Sequence, residues 1–495
     1  MATNLARAIM SFSLSPLIGR RVGLVVAPVA AALMLFLGPP VGLTEPAWIT
    51  AACMTLMAIW WMTEAIPVPV TALLPIVLFP LFGIAGIKET TASYAHPIIY
   101  LFLGGFLLAL AIEKWNLHRR IALTILLSTG GNARSLMAGF MVTSALLSMW
   151  ISNTATTIML LPIGLAIISV ISDTVRDISD KEQRNFQTAL LLSIAYSATI
   201  GGVATLIGTP PNAFMAAFLL EHYQIDVSFA QWMLVGLPVT IIMLPITWLF
   251  LSRIAFPFSF ETSEQTNDTL MKMKCELGRA SREEKIISAV FIITALSWAT
   301  RPFLDNYIPG LSDPGIAIVA GITLFLIPAP EKGGGRLLTW ADTQKWFWGI
   351  LVLFGGGLAL ANAVSSSGLA AAIGGAVASL QFLDLALVVV VVTTLVIFLT
   401  EMTSNLATTA TFLPVIGAIA IQLGFDPAVL IVPITLAASC AFMLPVATPP
   451  NAIIYSSEKI TIPQMAKAGF ALNLLSITVV SLISVFAVPM LLQAL

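Results

Sequence analysis

Ser152-Asn153-Thr154-Ala155-Thr156-Thr157 returns later in the chain as Ser404-Asn405-Leu406-Ala407-Thr408-Thr409, and a proline follows each copy at the same interval, Pro162 and Pro414. Downstream of each copy lies a second shared string, Thr209-Pro210-Pro211-Asn212 and Thr448-Pro449-Pro450-Asn451. The surroundings are apolar: 58% of the 495 residues are hydrophobic and 9% charged. A soluble domain carries roughly 25% charged residues, so the chain reads as a polytopic membrane protein. Polar side chains and paired prolines are costly in lipid, where freed backbone groups find no water. Two such pairs in the same order point to internal repeats that build a two-sided binding site.

Apolar stretches at 22–43, 47–66, 68–87, 97–113, 188–220, 230–252, 286–303, 314–328, 346–364, 427–455 and 466–493 give eleven crossings, at about 20 residues each. Two further apolar segments, 134–172 and 383–425, carry the Ser-Asn strings near their middles. Each is long enough to enter and return, so both read as re-entrant helical hairpins. With the N-terminus in the cytoplasm, all but Lys88 and Arg301 of the 23 Lys and Arg residues fall inside, Arg7, Arg176 and Lys332 among them. That distribution follows the positive-inside rule and puts the C-terminus outside. Leu103-Gly104-Gly105-Phe106-Leu107-Leu108-Ala109-Leu110-Ala111 opens one unit and Leu353-Phe354-Gly355-Gly356-Gly357-Leu358-Ala359-Leu360-Ala361 a second. The first of these spans starts outside and the second inside, so the repeats are inverted.

The strings suit neutral ligation. Their hydroxyls and amides donate and accept without a fixed charge. At a hairpin tip Ser or Asn caps the returning helix, whose free amides favour an anion. Outgoing helix ends and unwound carbonyls favour a cation such as Na⁺. The proline pairs suit the first turn of a new helix and nothing deeper, which predicts a break in span 5 near Gly208–Pro211 and in span 10 near Ala447–Pro450. Thr209, Pro210, Thr448 and Pro449 then line the cavity that tolerates those breaks. Neither string contains Lys or Arg, and a helix N-terminus supplies only about half a charge. A dianion therefore needs a co-bound cation.

Glu64 and Glu401 lie at membrane depth, where carboxylates are functional candidates. Glu64 reads as an interfacial cap. Glu401 stands three residues before Ser404, where the first copy has Met149; it reads as tuning a cation, carrying a proton or bonding the hairpin hydroxyls. His96, His118 and His222 fall at span ends and are expected to face water. Cys53, Cys275 and Cys440 are too scattered for a metal or disulfide framework and read as free thiols. No nucleophile with its base appears, which disfavours an intramembrane enzyme, and no basic stripe with aromatics suggests nucleic acid.

With Ser152-Asn153-Thr154, Ser404-Asn405 and the run Gly201-Gly202-Val203-Ala204-Thr205-Leu206-Ile207-Gly208-Thr209-Pro210-Pro211-Asn212, the chain resembles the divalent anion/sodium symporters over almost its whole length. The resemblance implies an all-α, elevator-type transporter: eleven transmembrane helices and two re-entrant hairpins, working as a homodimer in the inner cell membrane. It implies scaffold helices 1–96, a first inverted repeat 97–252 with hairpin 134–172 and broken span 188–220, and a cytosolic linker 253–285. Scaffold helices 286–345 and a second repeat 346–495, with hairpin 383–425 and broken span 427–455, complete it. Substrate, a C4-dicarboxylate such as succinate, malate or fumarate, is expected on Ser152, Asn153, Thr154, Ser404, Asn405 and the residue at 406. Na⁺ is expected near Ser148, Ser152, Asn153 and Gly202, and near Thr400, Thr403, Asn405 and Ala447. One departure stands out: Leu406 replaces the threonine of many dicarboxylate members, which favours a smaller or asymmetric anion. A sulfate or other inorganic-anion permease and a sodium-independent exchanger are the alternatives.

Overall fold

Short polar side chains set where many of the helices begin, by accepting hydrogen bonds from amides that the first turn leaves free. Thr44 caps through Ala47 N, Asn132 through Ser135 N and Ser179 through Glu182 N. Ser228 with Gln231, and Ser281 with Glu284, form full capping boxes. The computed structural model describes residues 16–495 apart from 176–177, 306, 330–334, 346–347, 378–383 and 494–495. Arg7, Arg176 and Lys332, and the first residue of the expected hairpin 383–425, lie outside the described residues.

The main helices run in chain order as α1 (Pro16–Leu37), α2 (Glu45–Thr63), α3 (Leu74–Leu81), α4 (Pro97–Lys114), α5 (Leu117–Leu127), α6 (Ala133–Ser148) and α7 (Asn153–Thr174). They continue as α8 (Asp180–Gly202), α9 (Pro210–Tyr223), α10 (Phe229–Leu249), α11 (Glu264–Glu276), α12 (Arg282–Leu304) and α13 (Asp313–Leu326). The chain closes with α14 (Trp348–Ser366), α15 (Leu369–Val377), α16 (Leu385–Thr400), α17 (Asn405–Gln422), α18 (Pro427–Ser439), α19 (Pro449–Tyr455) and α20 (Ile462–Gln493). Among the described residues the strands are a single two-residue antiparallel pair, Pro328–Ala329 with Gly335–Arg336. The fold is all-helical.

Nine helices among the described residues are long and apolar enough to cross a membrane, and α6, α13, α16 and α18 are shorter apolar helices. Large apolar side chains lie open on their outer faces, such as Leu234, Ile241 and Leu249 on α10 and Ile292, Ile293 and Leu296 on α12. Such faces are stable only against lipid or another protein. The chain is an integral membrane protein.

Two compact units emerge. The first comprises Met1–His96, Phe347–Leu383 and Leu406–Pro427; the second comprises Pro97–Trp346, Asp384–Asn405 and Ala428–Leu495. In the first, α14 meets its neighbours through bare backbone: a Cβ on Gly356 would stand 2.2 Å from the Ala72 carbonyl oxygen. In the second, α6 packs along α8, α4 along α13, and α20 against α10 and α16.

The 253–285 segment carries helix α11 and is fastened at its far end. Arg120 pairs with the Glu284 carboxylate at 3.0 Å and donates to the carbonyls of Leu277 and Gly278. Glu64 is the C-cap of α2 in the left-handed region (φ 46°) and pairs with Arg20 at 2.8 Å. The three histidines are less open than expected: His96 is buried, and His118 and His222 are only partly exposed. His96 is 9% exposed, and His118 directs Nδ1 to the Ile112 carbonyl at 3.1 Å, covering an orphan oxygen near the end of α4. His222 lies on the Phe218 ring, centroids 4.6 Å apart. At His118 the helix end needs its carbonyl covered, which draws the imidazole onto the protein. All three cysteines are free, with Cys53 and Cys440 buried and Cys275 exposed.

Candidate binding site

Both Ser-Asn strings occupy the same local structure. The helix before each stops at Ser148 or Thr400, four residues turn, and a new helix begins at Asn153 or Asn405. Ser152 caps the first of these new helices by accepting from Ala155 N at 3.2 Å. In each copy the hydroxyl that ends the outgoing helix donates to the asparagine that opens the returning one: Ser148 Oγ to Asn153 Oδ1, and Thr400 Oγ1 to Asn405 Oδ1 at 2.9 Å. Thr400 Oγ1 also faces the Ala438 carbonyl at 2.9 Å. A hydroxyl has one proton, so this cluster holds more oxygen acceptors than protons. Oxygen-rich, neutral sites of this kind suit a hard cation.

Gly202 completes the first cluster. A Cβ there would stand 2.5 Å from Asn153 Oδ1, so only glycine lets the end of α8 reach the asparagine. The helix stops at this point. Asn212 Nδ2, from the Thr-Pro-Pro-Asn string, holds the unwound carbonyls of Gly202 (3.3 Å), Val203 (3.1 Å) and Thr205 (2.7 Å). Trp232 Nε1 donates to Val203 as well, at 3.0 Å. Asn451 does the same in the second copy, with Ala441 at 3.3 Å and Leu444 at 3.1 Å. The prolines mark only where helices α9 and α19 restart. Each break opens earlier than expected, after Gly202 and after Ser439, because the loosened carbonyls and amides find side-chain partners in Asn212, Asn451, Trp232 and Glu401.

Glu401 supplies those partners in the second copy. Its carboxylate accepts from three successive amides of the break, Phe442 N (2.7 Å), Met443 N (2.9 Å) and Leu444 N (3.1 Å), and from Asn473 Nδ2 on α20 (2.7 Å). These bonds tie the carboxylate to the break and to α20. The first copy joins the same two places differently. Thr205 Oγ1 donates to the carbonyl of Met149, the counterpart of Glu401, at 2.6 Å, and accepts from Gly208 N at 3.1 Å. Counted back from the two asparagines, Leu444 stands where Thr205 does. The second copy thus lacks the hydroxyl and has the carboxylate instead. Next to Met149, Trp150 stacks on Phe229 and Trp298 at 5.9 and 6.4 Å and meets Phe291 edge-on at 4.8 Å; its counterpart Met402 is 70% exposed.

The remaining expected residues are placed as follows. Ser152, Asn153, Thr154, Ser404 and Asn405 are half-buried. Leu406, second residue of α17, is 4% exposed and belongs to the first unit, whereas Asn405 belongs to the second. Thr403 bonds back to the Leu399 carbonyl at 3.0 Å, and Ala447 sits one residue before the cap Thr448, whose Oγ1 accepts from Asn451 N. Thr209 caps α9 without a side-chain bond, and Pro210 is partly open. α7 and α8 both pack against α19, which brings the first Ser-Asn helix to the second proline pair. No cluster of His, Cys, Asp and Glu fit to hold a metal occurs among the described residues. Sequence reasoning missed Asn473, Thr205 and Trp150. Asn473 carried the one usable signal, an amide in an apolar helix.

Comparison with known proteins agrees with this architecture. The model of the sodium:sulfate symporter transmembrane region matches residues 20–493. The chain is 40% identical over 477 residues to the sodium-dependent dicarboxylate transporter SdcS of Staphylococcus saprophyticus, covering 95% of this chain and 92% of that protein. It is 42% identical over 480 residues to the SdcS of Staphylococcus aureus strain USA300, covering 96% and 92%. Among solved structures it is similar to the YdaH transporter of Alcanivorax borkumensis, with TM-score 0.58, 13% identity and coverage of 95% and 97%. The MtrF efflux pump of Neisseria gonorrhoeae gives TM-score 0.57, 12% identity and coverage of 92% and 96%. At such identities these two likenesses speak for the fold alone.

Proposed function

The chain belongs to the sodium:sulfate symporter family, and from that premise we propose that it is a secondary carrier which moves C4-dicarboxylates together with Na⁺. The observation that carries this reading is the pair of oxygen clusters, Ser148–Asn153 with Gly202 and Thr400–Asn405 with Ala438. Each is neutral, and each sits where a helix restarts. The free amides at the start of α7 and α17 favour an anion, but at about half a charge apiece. A dicarboxylate dianion would be left uncompensated by them. Sodium ions held on the clusters supply the missing charge, which makes anion binding depend on Na⁺ by electrostatics alone.

On this reading Ser152, Asn153, Thr154, Ser404 and Asn405 hold the two carboxylates, with Leu406 in apolar contact and Thr209, Pro210, Thr448 and Pro449 shaping the cavity. Ser148, Ser152, Asn153 and Gly202 ligate one Na⁺; Thr400, Thr403, Asn405 and Ala447 ligate another. The repeats 97–252 and 346–495 are inverted, and the Ser-Asn helices form re-entrant hairpins within eleven crossings. The carrier works as a homodimer by an elevator motion, its N-terminus in the cytoplasm of the inner membrane and its C-terminus outside. Leu406 favours a second reading, a smaller anion such as sulfate, since the leucine removes a hydroxyl from the anion's surroundings. Uptake of labelled succinate and labelled sulfate into proteoliposomes, with an inward Na⁺ gradient or with choline in its place, decides. Na⁺-driven succinate uptake supports the reading; equal uptake in choline sinks the coupling, and preferential sulfate uptake transfers the function to the second reading.

A further inference from the structure

Away from the binding site, a cavity of about 420 Å³ opens at the start of α6, lined by Arg134, Arg253, Trp248, Asn132, Ser135 and Glu261 among others. Its walls are firmly built. Ala133 N donates to the Phe260 carbonyl and Thr262 N to the Gly131 carbonyl, so the 257–262 segment is stitched to the start of α6. Trp248 Nε1 donates to the Arg134 carbonyl at 3.0 Å, and Arg134 Nε to the Phe258 carbonyl at 2.9 Å. The terminal amino groups of Arg134 are left uncommitted. Arg253 is exposed and is carried on a π-helical turn, Phe250–Ala255, that prolongs α10. Such turns often present functional side chains. Neither arginine forms an ion pair with Glu261 or with any other described carboxylate. Two guanidinium groups and one carboxylate give the walls a net positive charge. Beside them, Leu249 and Ile254 are 45% and 64% exposed, and Leu234 and Ile241 continue that apolar face along α10.

We propose that this cavity binds the headgroup of an anionic phospholipid from the cytoplasmic leaflet. The arginines take the phosphodiester, Glu261, Asn132 and Ser135 take headgroup hydroxyls, and the acyl chains lie along Leu249, Ile241 and Leu234. A lone phosphate has no use for the apolar track, and basic pockets between membrane helices on the cytoplasmic side are the usual seat of anionic headgroups. The placement rests on the orientation proposed above, but its test needs no transport. Purified protein in detergent is heated with short-chain phosphatidylglycerol, with short-chain phosphatidylcholine or with inorganic phosphate, and the unfolding midpoint is followed. A bound ligand raises that midpoint in proportion to its occupancy. Phosphatidylglycerol is expected to raise it in the wild type well beyond phosphatidylcholine. Arg253→Gln, which has no bond to lose, should weaken the apparent affinity on the order of fivefold, and Arg134→Gln with Arg253→Gln should remove most of the shift. Lys272→Gln, on exposed α11, should leave it intact. An equal response of wild type and Arg253→Gln overturns the site, and an arginine-dependent shift of the same size with inorganic phosphate overturns the lipid as its occupant.

Discussion

Asn153 is asked to do two things at once: its Oδ1 meets the Ser148 hydroxyl and the bare face of Gly202, while its backbone opens α7. Asn153→Ala removes the amide and leaves the cap on Ser152 in place. Na⁺-driven succinate uptake should fall by about tenfold or more, since a hydrogen bond to a charged group contributes roughly 1.5–3 kcal/mol. Size-exclusion profile and unfolding midpoint should stay close to wild type; robust uptake by this variant would remove Asn153 from the site. Glu401 invites a different expectation. Glu401→Gln keeps one accepting oxygen but turns an NH₂ toward amide donors, leaving some of Phe442, Met443 and Leu444 unsatisfied at about 1–3 kcal/mol each. A lowered midpoint together with a weaker apparent Na⁺ affinity is expected, because the break that carries Ala441–Ala447 loosens next to Thr400. An unchanged midpoint would show that the carboxylate holds nothing. Leu406→Thr restores a hydroxyl beside Asn405, and competition assays should then shift toward succinate over smaller anions; an identical competition profile speaks against any role for residue 406 in selectivity.

At the scale of elements, the sequence announced the two helix restarts but not where the preceding helices stop. A proline is welcome in the first turn of a helix, so Pro210 and Pro449 mark the restarts locally. The stops after Gly202 and Ser439 depend also on Trp232 and Glu401 reaching across from other elements, and no local pattern encodes a partner that far along the chain. The same holds for the histidines, whose burial follows from what packs on them. Repeat comparison recovers part of this: Met149 against Glu401, and Thr205 against Leu444, are paired exchanges that keep each Ser-Asn turn tied to its own break. Thr205→Val tests that tie in the first copy. It deletes the donor to Met149 O and the acceptor for Gly208 N, a loss of about 1–3 kcal/mol, and should raise the KM for succinate more than it lowers the folded fraction. A variant with a depressed midpoint and an unaltered KM would make Thr205 structural only.

For the whole molecule, the orientation proposed from the positive-inside rule would put the 253–285 segment in the cytoplasm, and the structure gives that segment a reporter. Of the three thiols, Cys53 and Cys440 are buried and Cys275, on α11, is exposed. The segment is held by Arg120 against Glu284 and the carbonyls of Leu277 and Gly278, so α11 should keep its side of the membrane throughout the transport cycle. An exposed thiol in water reacts as its thiolate, and a buried one does not. A membrane-impermeant maleimide should therefore label the wild-type chain once in inside-out vesicles and leave it unlabelled in right-side-out vesicles, with Cys275→Ser abolishing the signal. Labelling from the outer face alone would invert the topology. It would carry both Ser-Asn helices to the opposite side, move the Arg134–Arg253 cavity to the outer leaflet, and require all but two of the 23 basic residues to defy the charge bias that orients nearly all such chains.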